Sequence, residues 1–190
     1  MARPPTGLVW PDGDRADELL AIARELPETP LVFVCNGLAP FAAALHALAC
    51  SAPRRLAGDP HKRTAPAPQA DFLIGRVGTA CLSAAARLEL PVVLARGART
   101  APEFGGIVDW IEEQGLGIVV DDFNAVAPAV RDLLADLAGF RANARARAAD
   151  RAPAGGRHRP LRVALQARGW ESTRAGVWRG DDAGAPEEAA

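Results

Sequence analysis

The stretch from Ala70 to Val120 limits the fold more than any other part of the chain. It reads as strand, glycine turn, helix, strand, long loop, helix, strand. The first strand is Asp71–Ile74, and the chain then turns through Gly75, Arg76, Val77 and Gly78. A helix is expected from Thr79 to Leu88, a strand at Pro91–Leu94, a loop from Ala95 to Gly106, a helix ending near Gly115, and a strand at Leu116–Val120. Strands separated by helices of this length pair in parallel, because a parallel crossover needs a helix to cover the sheet.

The chain before this stretch carries the same alternation. Gly7–Trp10 is a short apolar strand, and Pro11–Asp14 is a turn whose Asp14 can cap the next helix. That helix runs over Arg15–Leu26, with Leu19, Leu20, Ile22, Ala23 and Leu26 on one face. Leu31–Cys35 is an uninterrupted apolar run, the pattern of a strand buried on both faces. Pro40–Ala49 is a helix with a surface His46, and Arg54–Ala57 is a weak strand. The three prolines of Pro60–Pro68 argue against a regular helix there. After Val120, Asp122 or Asn124 caps a helix to about Ala135, with Pro128 near its start, and Leu137–Asp150 is a last helix rich in Ala and Arg. The expected fold class is therefore α/β: a Rossmann-like, doubly wound parallel sheet of about six strands with helices on both faces, occupying residues 1–152.

Residues 153–190 differ in character. A linker-like APAGGRHRP leads into a run holding Arg157, Arg159, Arg162, Arg168, Arg174 and Arg179, followed by the acidic GDDAGAPEEAA. The basic run suits contact with anionic lipid headgroups. The plainer reading is a solvated, disordered tail, since low apolar content does not offset chain entropy. Short helical docking through Val163–Trp170 and Val177–Trp178 is the third reading.

Composition removes several function classes. The 190 residues are 49% hydrophobic and 24% charged with a formal net charge of -1, which gives no global case for nucleic acid. Lys62 is the sole lysine, a bias towards Arg that matches the excess of Ala and Pro as coding bias. No apolar run reaches the roughly 20 residues of a membrane span, and MARPPTGLVWPDGD lacks the apolar core of a secretory leader. Cys35, Cys50 and Cys81 form no C-x-x-C pattern and read as free thiols, while His46, His61 and His158 are too scattered to bind a metal. A cytoplasmic location, with peripheral membrane contact through the Arg run, follows as the expectation.

Ligands of such sheets bind beyond the carboxyl ends of the strands. Two loops reach that edge, Arg76–Cys81 and Ala95–Gly106. The first opens a helix whose backbone N–H groups can receive phosphate, although Gly78 also suits a plain tight turn.

The chain resembles the donor-sugar half of GT-B glycosyltransferases, in the group that holds the galactosyldiacylglycerol synthases and the lipid-linked N-acetylglucosaminyltransferase of cell-wall synthesis (glycosyltransferase family 28, C-terminal domain). The matching features are ADFLIGR-x-G at Ala70–Gly78, S-x-x-x-x-L-x-LPVV at Ser83–Val93, TAPE at Thr100–Glu103, DWIEEQGLGIVVDDF at Asp109–Phe123 and FRANARARAADRA at Phe140–Ala152. The resemblance extends from Leu8 to Ala152 and is densest after Ala70.

It implies a substrate, a UDP-sugar, and no cofactor or metal. The donor half holds the uridine, neutralises the leaving diphosphate with backbone N–H groups, and orients the sugar. The nucleotide-sugar contacts it implies are Gly13, Arg76, Gly78, Thr79, Ala80, Cys81, Ser83, Pro102 and Glu103. The catalytic base generally belongs to the other half of such enzymes, so none is assigned. Few residues precede the first strand, so a separate acceptor-domain subunit is the expected partner for a hexosyl transfer.

Several positions depart from the family pattern. The first glycine turn is replaced by Trp10-Pro11-Asp12-Gly13-Asp14, whose carboxylates repel a diphosphate. Ala84 stands where the family carries a glutamate for the ribose hydroxyls, a loss of about 1.5–3 kcal/mol by the strength of charged hydrogen bonds. Phe104, Gly105, Gly106 and Ile107 stand where the family carries polar readers of the sugar, with Glu103 either a partial replacement or a helix cap. The alternative expectation is thus a degenerate, non-catalytic relative that keeps the fold as a binding or regulatory module.

Overall fold

A computed structural model describes residues 3–10, 16–34, 39–48, 52–57, 69–97, 104–149, 170–172 and 178–180. The strands are β1 (Gly7–Val9), β2 (Leu31–Val34), β3 (Arg54–Ala57), β4 (Phe72–Arg76), β5 (Val92–Ala95) and β6 (Gly117–Val120). The helices are α1 (Ala16–Glu25), α2 (Ala39–His46), α3 (Thr79–Leu88), α4 (Gly105–Glu113), α5 (Val126–Ala135) and α6 (Leu137–Ala149). The six strands form one parallel sheet in the order β3-β2-β1-β4-β5-β6.

The chain therefore winds outwards from β1 to one edge, returns to the middle, and winds outwards from β4 to the other edge. The reversal between β1 and β4 is the switch point at which open α/β sheets place their ligands. It also places the crossover helices of the two windings, α1 and α2 against α3 and α4, on opposite faces. Val9, Leu31, Phe33, Phe72, Ile74 and Val93 pack with the apolar stripes of α1, α2 and α5 on one face. Leu8, Val32, Leu73, Val92 and Leu94 pack with α3 and α4 on the other. Both faces are covered, which is why the strands read as apolar runs rather than as alternating ones. No described helix is long and apolar enough to cross a membrane.

The amino-terminal edge of the sheet is fastened by a single carboxylate. Asp71, just before β4, is buried and accepts hydrogen bonds from Arg3 (2.7 Å), from the Thr6 amide (2.9 Å) and from Arg141 of α6 (2.6 Å). This residue, expected to be the first of a strand, ties the entering chain, the central strand and the last long helix together.

Two further strands, β7 (Trp170–Ser172) and β8 (Trp178–Gly180), pair antiparallel within the segment expected to be disordered. They replace the helical docking suggested for residues around Trp170 and Trp178. Asp14, Pro60–Pro68 and the remainder of residues 153–190 lie outside the described residues.

Candidate functional site

Every helix that follows a strand in this sheet starts at the carboxyl edge, so the starts of α1 and α3 and the turn after β6 converge there. Arg76 ends β4 at this edge. Its guanidinium lies 2.5 Å from the Glu18 carboxylate in the first turn of α1. The same group stacks over the Phe123 ring, 4.5 Å from its centroid, in the 3-10 turn Phe123–Ala125 that follows β6. Both partners of the ion pair are largely buried, with side chains 17% and 20% exposed. Arg76 is thus a cation whose charge is already met by a carboxylate. Asp122 fixes the turn that carries Phe123, accepting bonds from the amides of Asn124 (2.7 Å) and Ala125 (3.3 Å).

Beside Arg76 the chain enters α3 through Gly78. This residue is the helix N-cap, with φ -178° and ψ 159° and no side-chain cap. The first helical bond runs from the Leu82 amide to the Gly78 carbonyl, so the amides of Thr79 and Ala80 precede the helical ladder. Gly78 is extended, so its backbone does not demand glycine. A Cβ there would meet nothing described nearer than the Arg76 carbonyl, at 4.0 Å. Neither backbone angle nor crowding by described residues therefore requires glycine at this N-cap. Gly75, by contrast, is required by close packing, since a Cβ would lie 2.5 Å from the Cys81 sulfur.

The expected site residues divide accordingly. Arg76, Gly78, Thr79 and Ala80 stand together at the edge, and Thr79 and Ala80 keep some exposure. Cys81 is in the same turn, but its side chain is buried against Gly75, so only its backbone belongs to the loop. Ser83 is half-buried one turn into α3. Gly13, Pro102 and Glu103 lie outside the described residues.

The positions read as lost polar contacts need a different account. Ala84 is fully buried in the layer beneath α3, and Phe104 and Ile107 are core residues of α4 and its start. All three are buried, so polar side chains there would enter the core. Motif spacing places these positions along the chain but not on the helix faces. Glu18 and Phe123 were not expected at the site. The signal was available for Glu18, because an acidic first turn of the helix after β1 must lie at the switch point.

No family model and no curated protein matches the chain. Solved structures do match it. The chain is similar to the calicheamicin glycosyltransferase CalG4, with a TM-score of 0.54 and 23% identity over 87% of this chain and 43% of that one. It is similar to the glycosyltransferase SnogD from Streptomyces nogalater, with a TM-score of 0.51 and 18% identity over 77% of this chain and 38% of that one. A third likeness is to Os79 from O. sativa, with a TM-score of 0.50, 15% identity, and 76% and 36% of the two chains covered. The fold is one that these glycosyltransferases carry over part of their length. The chain spans less than half the length of these structures, and at this identity the likeness concerns the fold.

Proposed function

We propose that the chain is the nucleotide-sugar-binding half of a GT-B hexosyltransferase, acting on a UDP-sugar together with an acceptor-binding subunit. The observation that carries this reading is Gly78: an uncrowded, extended glycine that opens α3 beside the β1–β4 switch point. A glycine that the described protein does not need for itself suits close approach by a ligand. The amides that follow it point out of a helix start, where an anion is favoured by the helix dipole and by direct hydrogen bonding. The glycosyltransferase fold supports the choice of a nucleotide sugar as that anion.

Titration calorimetry of the full chain with UDP tests the reading. The expected result is a Kd below about 1 mM, equivalent to roughly 4 kcal/mol or more of binding free energy. The absence of both heat and thermal shift at millimolar UDP would overturn it. A non-catalytic binding module would then be the better account.

One observation favours that second reading. The Arg76–Glu18 pair offsets the charge of one edge arginine with a carboxylate. A leaving diphosphate is then met by the backbone amides and by Arg96, the arginine that follows β5, with the charge of Arg76 already offset. Fold does not decide between the two.

A further inference from the structure

Away from the carboxyl edge, α3, α4 and α6 enclose an apolar groove. Its walls include Leu82, Ala85 and Ala86 of α3, Trp110 of α4 and Ala144 of α6, with Glu89 and Arg147 at charged positions. Its enclosed volume is about 50 Å³, and it is open to solvent. We infer that this groove is the seat of the chain's own carboxyl-terminal strand pair, β7–β8.

Three observations converge on that occupant. β8 already lies against α3, the helix that forms one wall. The other wall, α6, lines the groove with Ala144 and Arg147 and ends two residues later at Ala149, on the chain's way to β7. The strand pair also needs a partner. β7 and β8 have three residues each, and an isolated two-stranded hairpin is at best marginal in water, so it requires an apolar surface to persist. The segment supplies matching chemistry in Trp170, Val177 and Trp178, large apolar residues in an otherwise polar stretch. An apolar groove and an unsupported hairpin each resolve the other's exposure.

The consequence is that β7–β8 is held to the domain rather than free in solution. This conclusion is independent of whether the carboxyl edge binds a nucleotide.

Hydrogen exchange on the full chain tests the inference. The amides of residues 170–172 and 178–180 should exchange at least about tenfold more slowly than those of residues 181–190. Ala86→Glu places a charge in the groove wall and should abolish that protection while the amides of α5 stay protected. Trp178→Ser should do the same from the strand side, with the domain intact, and should speed exchange in the exposed part of α3. Hairpin amides that exchange as fast as the last residues would overturn the inference. Protection that survives both substitutions would overturn it too, because the hairpin would be seated elsewhere. Protection that depends on protein concentration would also overturn it, by making a second copy the occupant.

Discussion

Arg76 shows how one side chain can serve the fold and limit the site together. It joins the first turn of α1 to the turn after β6 through Glu18 and Phe123. Arg76→Ala is therefore expected to cost about 2–3 kcal/mol, from a partly buried ion pair and a cation–π contact. Chemical denaturation would measure that. Glu18→Gln separates the two roles. It removes the carboxylate but keeps the shape, so the Arg76 charge becomes available to an anion at the edge. UDP affinity should rise by about threefold to tenfold, which is up to roughly 1.4 kcal/mol. Unchanged affinity with lowered stability would mean that Arg76 is a fastener alone. Gly78→Val makes the complementary test. The extended backbone and open space should accept the side chain with a change of about 1 kcal/mol or less, the scale of N-cap substitutions. UDP binding should nevertheless be lost in calorimetry, because the new methyl groups occupy the approach to the first-turn amides. Retained binding would remove the observation on which the proposed function rests.

The elements are held by features that operate locally. α4 ends in a paired C-cap: the Gly115 amide bonds to the Glu112 carbonyl at 3.0 Å and the Leu116 amide to the Ile111 carbonyl at 2.9 Å. Gly115 has φ 58°, and a Cβ on it would lie 2.7 Å from the Asn143 amide nitrogen of α6. That amide donates to the Gly115 carbonyl, so the cap also docks α6. Gly115→Ala should cost about 1–2 kcal/mol, the penalty of a left-handed non-glycine residue, and should lower the melting temperature measured by circular dichroism. The elements themselves were legible in the sequence because buried parallel strands are apolar runs and the helices between them have clear breakers. α3 lies at Thr79–Leu88 as expected, and Asp122 caps the turn before α5. What was not legible depends on faces and on distance. Ala84 and Ile107 look like lost ligands by motif spacing and are core residues in space. Glu18 and Arg76 are partners across 58 positions, a contact no local pattern announces. The strand pair β7–β8 was missed because its Arg-rich surroundings have the composition of a solvated tail, and such short strands leave no periodic signal.

At the scale of the molecule, Asp71 and the switch point divide the two ends of the sheet between structure and ligand. The carboxyl edge holds the uncrowded Gly78 and the first-turn amides of α3. The opposite edge holds a buried carboxylate with two arginines and one backbone amide. Asp71 therefore links residues near both ends of the described domain, from Arg3 to Arg141. Its two guanidinium partners are unequal: Arg3 is 49% exposed and Arg141 is 35% exposed, whereas Asp71 itself is 8% exposed. Removing a partner from solvent should then matter much less than removing the shared buried acceptor. Arg3→Ala should cost under about 1 kcal/mol, as an exposed ion pair does. Asp71→Ala leaves Arg141 and the Thr6 amide without their common acceptor. The arginines left behind are partly solvated, so the main cost is a buried amide without its acceptor, about 1–3 kcal/mol. For a chain of this size that corresponds to a fall of roughly 2–12 °C in melting temperature. Thermal denaturation of both variants, read with the UDP titration, tests the division of the sheet. The melting point of Asp71→Ala should fall steeply, while UDP affinity measured well below that melting point stays within about twofold. If affinity fell in step with stability, the clamp at one edge would be coupled to the ligand edge through β4, and the two ends of the sheet would not be independent.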